Sequence, residues 1–222
     1  IAAHTAVEKN FMQKILSSTD LPEEEVLDAF STAYDAGVDD VESPEEDIGK
    51  AKDSGLTILK VHHRDVAPGI KPVMVEEPIQ FTINGVDFSG IIDLVDEVTS
   101  PEEVVSRRVR DLKTTSRSPA SGSQQHTLQM TGYALGYRQK TGDVESDVIL
   151  DYLVRVKDPD KQYQQVTWGG PVDSKAIGAL ATQVEIASGM IEAGLFPATG
   201  VQSYACTWCG YTAICPAYRG AR

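Results

Sequence analysis

Near the start of the chain apolar residues recur at helical spacing. Ala3, Val7, Phe11, Met12, Ile15 and Leu16 predict an amphipathic helix that begins at or before Ile1. Asp20 with Pro22 opens a second predicted helix over 21–36, and Ser43 with Pro44 a third that runs toward Val61. Both begin with an acidic turn, which suits the positive end of a helix dipole. The period then changes. Residues 72–97, PVMVEEPIQFTINGVDFSGIIDLVDE, are β-branched and partly alternating, with Asn84-Gly85, the strongest short hairpin signal, at their centre. A strand over 104–112, a Ser/Pro/Gly loop over 116–123 and a helix over 123–139 follow. Strands over 147–155 and 162–168 turn through Asp158-Pro159-Asp160, and a helix over 173–193 ends at Gly194.

This order predicts a mixed α/β core preceded by a helical portion. At 222 residues and 41% hydrophobic content the chain can fill a sizeable core. No apolar run approaches the ~20 residues that span a bilayer, and no signal-peptide pattern is present, so the expectation is an intracellular, cytoplasmic protein without a membrane partner. The start at Ile1 rather than methionine raises the expectation of a segment upstream. The net charge of -13 argues at first against a nucleic-acid partner, but the acidity is local. Twelve carboxylates and one lysine between Asp20 and Lys50 account for -11, leaving -2 for the rest of the chain. Arg107, Arg108, Arg110, Lys113 and Arg117 surround the lone Asp111 and make that stretch basic by +4.

That basic stretch contains VRDLKTTS (109–116), which taken alone reads as a charged strand edge meeting solvent. Its neighbours change the picture. Asp93 follows two isoleucines on the second hairpin strand, and Asp111 and Lys113, two apart on the next strand, share a face. If those strands pair, two carboxylates and a lysine converge. Carboxylates held close together need a cation between them, and oxygen ligands suit Mg²⁺ or Mn²⁺. A lysine beside them supplies fixed positive charge for a developing transition state or its attacking water. Two other motifs fail. HRD at His63 to Asp65 lacks the asparagine of a kinase catalytic loop, Ile70 standing at that position, and Arg64 separates the His-Asp pair that an HD-type phosphohydrolase needs. His62, His63 and His126 read as surface residues, and Glu76 and Glu77 are left out of the site because the hairpin strand can expose either.

GIID, a gap, and then DLKT resembles the signature of the PD-(D/E)xK nucleases, and among them the RecB-like group. QMTGY places Gln129 and Tyr133 four apart on a helix, similar to that group's Q-x-x-x-Y element, and AAHTAVEK resembles the helix whose histidine completes the metal site. The resemblance covers His4 to Tyr133. It implies a restriction-endonuclease-like α/β fold, a mixed central sheet flanked by helices. It divides one integrated domain into a helical region carrying the histidine (1–70), a nuclease core (71–198) and a C-terminal cysteine segment (199–222). His4, Asp93 and Asp111, with the carbonyl of Leu112, would hold Mg²⁺ or Mn²⁺. Lys113 would act on the water, and Gln129 and Tyr133 would position the strand. Arg107, Arg108, Arg110 and Arg117 would contact backbone phosphates.

All three cysteines, Cys206, Cys209 and Cys215, lie in the last 17 residues, a clustering that points to a metal rather than to disulfides. Zinc and iron-sulfur sites ordinarily take four protein ligands, so one is missing. The resemblance implies a 4Fe-4S cluster whose fourth cysteine lies upstream of Ile1. A zinc site, or a relic without metal, is the alternative. The reading is a metal-dependent exonuclease of single-stranded or frayed DNA ends in recombination, repair or CRISPR adaptation, with a protein partner from such a complex. If the chain is phage-encoded, its place is the host cytoplasm. The competing readings are a non-catalytic DNA-end binding or scaffold module and a zinc-binding interaction domain with a coincidental D-L-K.

Overall fold

The computed structural model describes residues 2–38, 45–119, 126–196, 205–206 and 209–215. They fall into two compact units, Ile1–Leu180 and Ala181–Arg222. In the first, three helices come first: α1 (Ala2–Ser17), α2 (Glu23–Val38) and α3 (Glu45–Val61). The Ser43-Pro44 start predicted for α3 lies outside the described residues. Asn10 and Lys14 on α1 both donate to Asp20, at 2.8 Å each, and the Leu21 N–H donates to Asn10, so the turn into α2 is tied to the body of α1. Val7, Phe11, Val26, Phe30, Ile58 and Leu59 bury the inner faces of these helices against Val75, Leu94, Leu112 and Leu153 of the sheet.

Five strands form one sheet in the order of the chain: β1 (Pro72–Ile83), β2 (Val86–Thr99), β3 (Val105–Thr115), β4 (Asp147–Val154) and β5 (Tyr163–Thr167). Neighbours are antiparallel except β3 and β4, which run parallel and are joined through α4 (Thr127–Thr141). The predicted hairpin closes at Asn84-Gly85, where φ values of 50° and 80° put both turn residues in the left-handed region that a two-residue turn of matching twist requires. α4 packs against β1 through Gly136, where a Cβ would stand 2.3 Å from Ile79 Cδ1 and 3.0 Å from Phe81. Only glycine allows that approach.

The mixed α/β architecture agrees with the sequence reading, and each predicted element is present to within a few residues. One difference bears on the site: β3 runs three residues beyond Leu112, because Asp111 to Thr115 pair with Leu150 to Val154 of β4. The sequence of β3 turns polar at Lys113, yet its backbone stays in the ladder. The second unit contains the C-terminal part of α5 (Ser174–Glu192) and the cysteine segment. Among the described residues no helix is long and apolar enough to cross a membrane.

Candidate active site

The site begins where two strands part. Pairing between β2 and β3 runs from Thr99 opposite Val105 to Leu94 opposite Arg110 and stops there. One residue further, Asp93 fills the gap with its side chain: its Oδ2 accepts the Leu112 N–H at 2.8 Å. In a strand the N–H and C=O of a residue point to the same edge, so the Leu112 carbonyl also faces β2. Nδ1 of His4, on the first turn of α1, lies 3.6 Å from the same Asp93 Oδ2.

Glu76 completes this group. Val75 pairs with Leu94 and Glu77 with Ile92, which sets Glu76 across from Asp93 on the neighbouring strand. Its backbone is left-handed, with φ of 47°, a conformation that costs a residue with a Cβ on the order of 1 kcal/mol. His4, Glu76 and Asp93 each offer a ligand atom, all within 4.8 Å of one another, and no other such group of three His, Cys, Asp or Glu side chains exists among the described residues. Burial, then the charges of Asp93 and Glu8, push the Glu76 carboxyl up to about 7. Burial also lowers the His4 imidazole, against the pull of Asp93. An imidazole and two carboxylates held this close are a donor set that suits a divalent cation.

Asp111 and Lys113 stand beside this group on β3. Lys113 Nζ donates to Asp111 Oδ1 at 3.0 Å and lies 2.7 Å from Oδ2. Gln129 Nε2 donates to Asp111 Oδ1 at 3.1 Å and to the Tyr133 hydroxyl at 3.0 Å. Asp111 is buried, and its Oδ2 carries no hydrogen bond despite the nearby ammonium. Burial raises its carboxyl to about 6, with the Asp93 charge adding to the rise and the Lys113 hydrogen bond opposing it. Burial likewise raises the Tyr133 phenol.

The structure thus brings together His4, Asp93, Asp111, Leu112, Lys113, Gln129 and Tyr133. It departs from the expected ligand set in one respect: the compact donor group is closed by Glu76, while Asp111 turns to Lys113 and Gln129. Glu76 had a signal in the sequence. A two-residue turn at 84–85 fixes the hairpin register, and counting equal steps back from it puts residue 76 opposite 93.

The arginines divide differently from the expectation. Arg110 is buried, and Asp151 takes its Nε and Nη2 in two hydrogen bonds of 2.8 Å, so it cannot reach a phosphate. Arg108 is paired with the buried Asp96 and Arg107 with Glu97. Arg117 is exposed at the end of β3. Alternating faces along a strand send Arg110 to the side opposite Asp111. His62, expected at the surface, is buried edge-on against Phe11 and Tyr163.

Cys206 and Cys215 are half-buried and Cys209 is exposed; none is in a disulfide. Their thiols form no group whose sulfurs all lie within 4.8 Å, as ligands of one ion would. Three thiols are also one short of a four-cysteine cluster.

The family model of the PD-(D/E)XK nuclease superfamily matches residues 1–216. The chain belongs to that superfamily. Members of the PD-(D/E)XK superfamily typically use divalent metals, which agrees with the donor chemistry at His4, Glu76 and Asp93. Among solved structures, a protein of Eubacterium rectale named "Putative exonuclease" is similar with a TM-score of 0.51 and 11% identity over 92% of this chain and 74% of that one, a likeness of fold. SSO0001 is matched at a TM-score of 0.41 and 18% identity, over 99% of this chain and 84% of that one. No curated protein matches the chain.

Proposed function

We propose that this superfamily member is a metal-dependent deoxyribonuclease that hydrolyses phosphodiester bonds as an exonuclease on single-stranded or frayed DNA ends, in recombination, repair or CRISPR adaptation. The observation that carries the reading is the placement of the His4, Glu76 and Asp93 donor group beside the Asp111–Lys113 pair on the next strand. The name of the Eubacterium rectale protein supports the exonuclease part.

His4, Glu76 and Asp93 would hold Mg²⁺ or Mn²⁺, with the Leu112 carbonyl facing the same gap and the Oδ2 of the neighbouring Asp111, which carries no hydrogen bond, as a further donor. Such an ion, when bound, lowers the pKa of water and takes up charge on phosphoryl oxygens. The remaining work falls to the side chains. Lys113 keeps its ammonium at the edge of the site, where it orients a water and meets charge developing at phosphorus. Asp111 holds that ammonium in place. Gln129 holds Asp111 from the other side and occupies the Tyr133 oxygen as an acceptor, which leaves the phenolic proton for a phosphate oxygen of the strand. Arg117 continues the basic edge past Lys113 and contacts the backbone phosphates.

The experiment is cleavage of single-stranded DNA, labelled at either end, with Mn²⁺ or Mg²⁺ present or withheld. Metal-dependent release of short labelled products from one end supports the reading. DNA binding without cleavage under every metal condition would instead identify a non-catalytic end-binding module. The cluster proposed for Cys206, Cys209 and Cys215 is tested separately by iron and sulfide content after anaerobic purification, and nothing in the cleavage chemistry depends on it.

A further inference from the structure

The hydrophobic pattern leaves one feature of the sheet unfixed. Val148 to Val154 of β4 are all buried, so β4 has no alternation of faces to choose its register. Its partner β3 runs parallel to it, joined through a helix, so no tight turn sets the pairing either. The one charged residue in that run is Asp151. It lies opposite Leu112, two residues along from Arg110, whose guanidinium it grips through both oxygens at 2.8 Å. A slip of one residue would put Leu150 or Tyr152 where Asp151 stands; a slip of two, Ile149 or Leu153. Each takes from the buried guanidinium the carboxylate that grips it, while the bidentate fork fits a single register.

The position of this pair matters for the site. Beyond Arg110 the backbone ladder to β2 has ended and only the Asp93–Leu112 hydrogen bond crosses to it, so Asp111, Leu112 and Lys113 take their backbone pairing from β4. Arg110 sits at the fork: its Nη1 also lies 3.4 Å from Asp96 of β2, and its Nη2 donates to the Tyr163 hydroxyl of β5 at 3.3 Å. A cavity of about 20 Å³, room for one water, has His4, Glu76 and Asp93 in its wall together with Arg110 and Asp151. We propose that Arg110 and Asp151 are positioning residues, a register lock that holds the Asp111–Lys113 segment of β3 in line with the donor group. The inference rests on the nuclease reading only for its kinetic consequence; the lock itself is a statement about backbone position.

Two variants test it. The double substitution Arg110→Met with Asp151→Leu replaces the pair by apolar side chains of similar volume, which folded proteins tolerate. Arg110→Lys keeps the charge and removes the fork. For each, thermal unfolding reports the fold, amide exchange of Leu112 reports whether its bond to Asp93, and so the line of β3 against the donor group, is kept, and single-stranded DNA cleavage in Mn²⁺ gives kcat and KM. We expect cooperative unfolding, Leu112 exchange at least tenfold faster than in the wild type, and kcat at least tenfold lower with KM within threefold. Wild-type exchange at Leu112 in a folded variant overturns the lock, as does wild-type kcat. Failure of both variants to fold also overturns it, since the pair would then serve stability rather than position. A wild-type protein that cleaves nothing would remove the nuclease reading, while the exchange arm would still decide the lock.

Discussion

The Asp93 carboxylate accepts the Leu112 N–H at 2.8 Å at the point where the β2–β3 ladder ends, so one side chain both closes the backbone and faces the donor group. The two tasks separate by substitution. Asp93→Asn keeps an oxygen for Leu112 but loses the charge, and we expect a thermal midpoint near wild type with cleavage down a hundredfold or more. Asp93→Ala loses both and should also cost about 1–2 kcal/mol of stability, the usual size for a partly buried donor left without its partner. Denaturant unfolding and cleavage rates of the two variants, measured side by side, check the separation. Equal stability of the two would show that the hydrogen bond contributes little.

In the proposed mechanism Lys113→Ala removes charge needed mainly in the transition state. The expected loss is about 3 kcal/mol, roughly a hundredfold in rate. Affinity for single-stranded DNA, measured in Ca²⁺ to hold the strand without turnover, should hardly change, because many phosphates share the binding. An activity that falls only in step with affinity would make Lys113 one more backbone contact.

Glu76→Gln tests the unexpected member of the donor group. Burial and the neighbouring Asp93 charge raise the Glu76 carboxyl to about 7 in the metal-free protein. A raised carboxyl binds its proton more tightly in the folded chain, so ionising it disfavours the fold as pH climbs through the interval up to about 7. The neutral glutamine removes that cost. The metal-free variant should therefore melt higher than wild type at pH 8 and close to it at pH 5, and should bind Mn²⁺ at least tenfold more weakly. Calorimetry with and without Mn²⁺ at the two pH values reads both effects. Unchanged Mn²⁺ affinity would exclude Glu76 as a ligand.

His62 has the opposite sign. Burial first, with the Arg110 and His63 charges adding to it and the Asp151 charge opposing, lowers its pKa from 6.5 to about 4. Between those values the unfolded chain takes up a proton that the folded chain refuses. Its contribution to stability is complete above about 6.5 and drains as pH falls toward 4, by up to ~1.4 kcal/mol per pH unit. His62→Leu should flatten the pH dependence of urea unfolding over that interval by about one proton. An unchanged slope would mean that His62 takes up its proton in the folded state without cost.

The residues of the site were legible because they fall on short local patterns. Asp93 and Asp111 were readable from two apolar strands with a carboxylate in or at the end of each, Lys113 from its spacing of two, and Gln129 and Tyr133 from a helical spacing of four. Glu76 was legible only through the hairpin register, which needs the turn and the strand together. Arg110 was misread because a charge count has no faces: the residue beside Asp111 points to the other side of the sheet, and its carboxylate lies 41 positions away on β4. His62 was misread for a related reason. Nothing within the run His62-His63-Arg64-Asp65 announces that Phe11 and Tyr163 close over the first histidine.

The central claim, a metal site on His4, Glu76 and Asp93 that works with Lys113 on a DNA strand, is tested most directly by end-labelled single-stranded DNA with the wild-type protein and Asp93→Asn. The measurement is product release against Mn²⁺ concentration. The account predicts that wild type yields labelled products only with Mn²⁺ or Mg²⁺ and that Asp93→Asn yields almost none at any concentration. Cleavage by wild type in the presence of a chelator, or equal cleavage by both proteins, would contradict it.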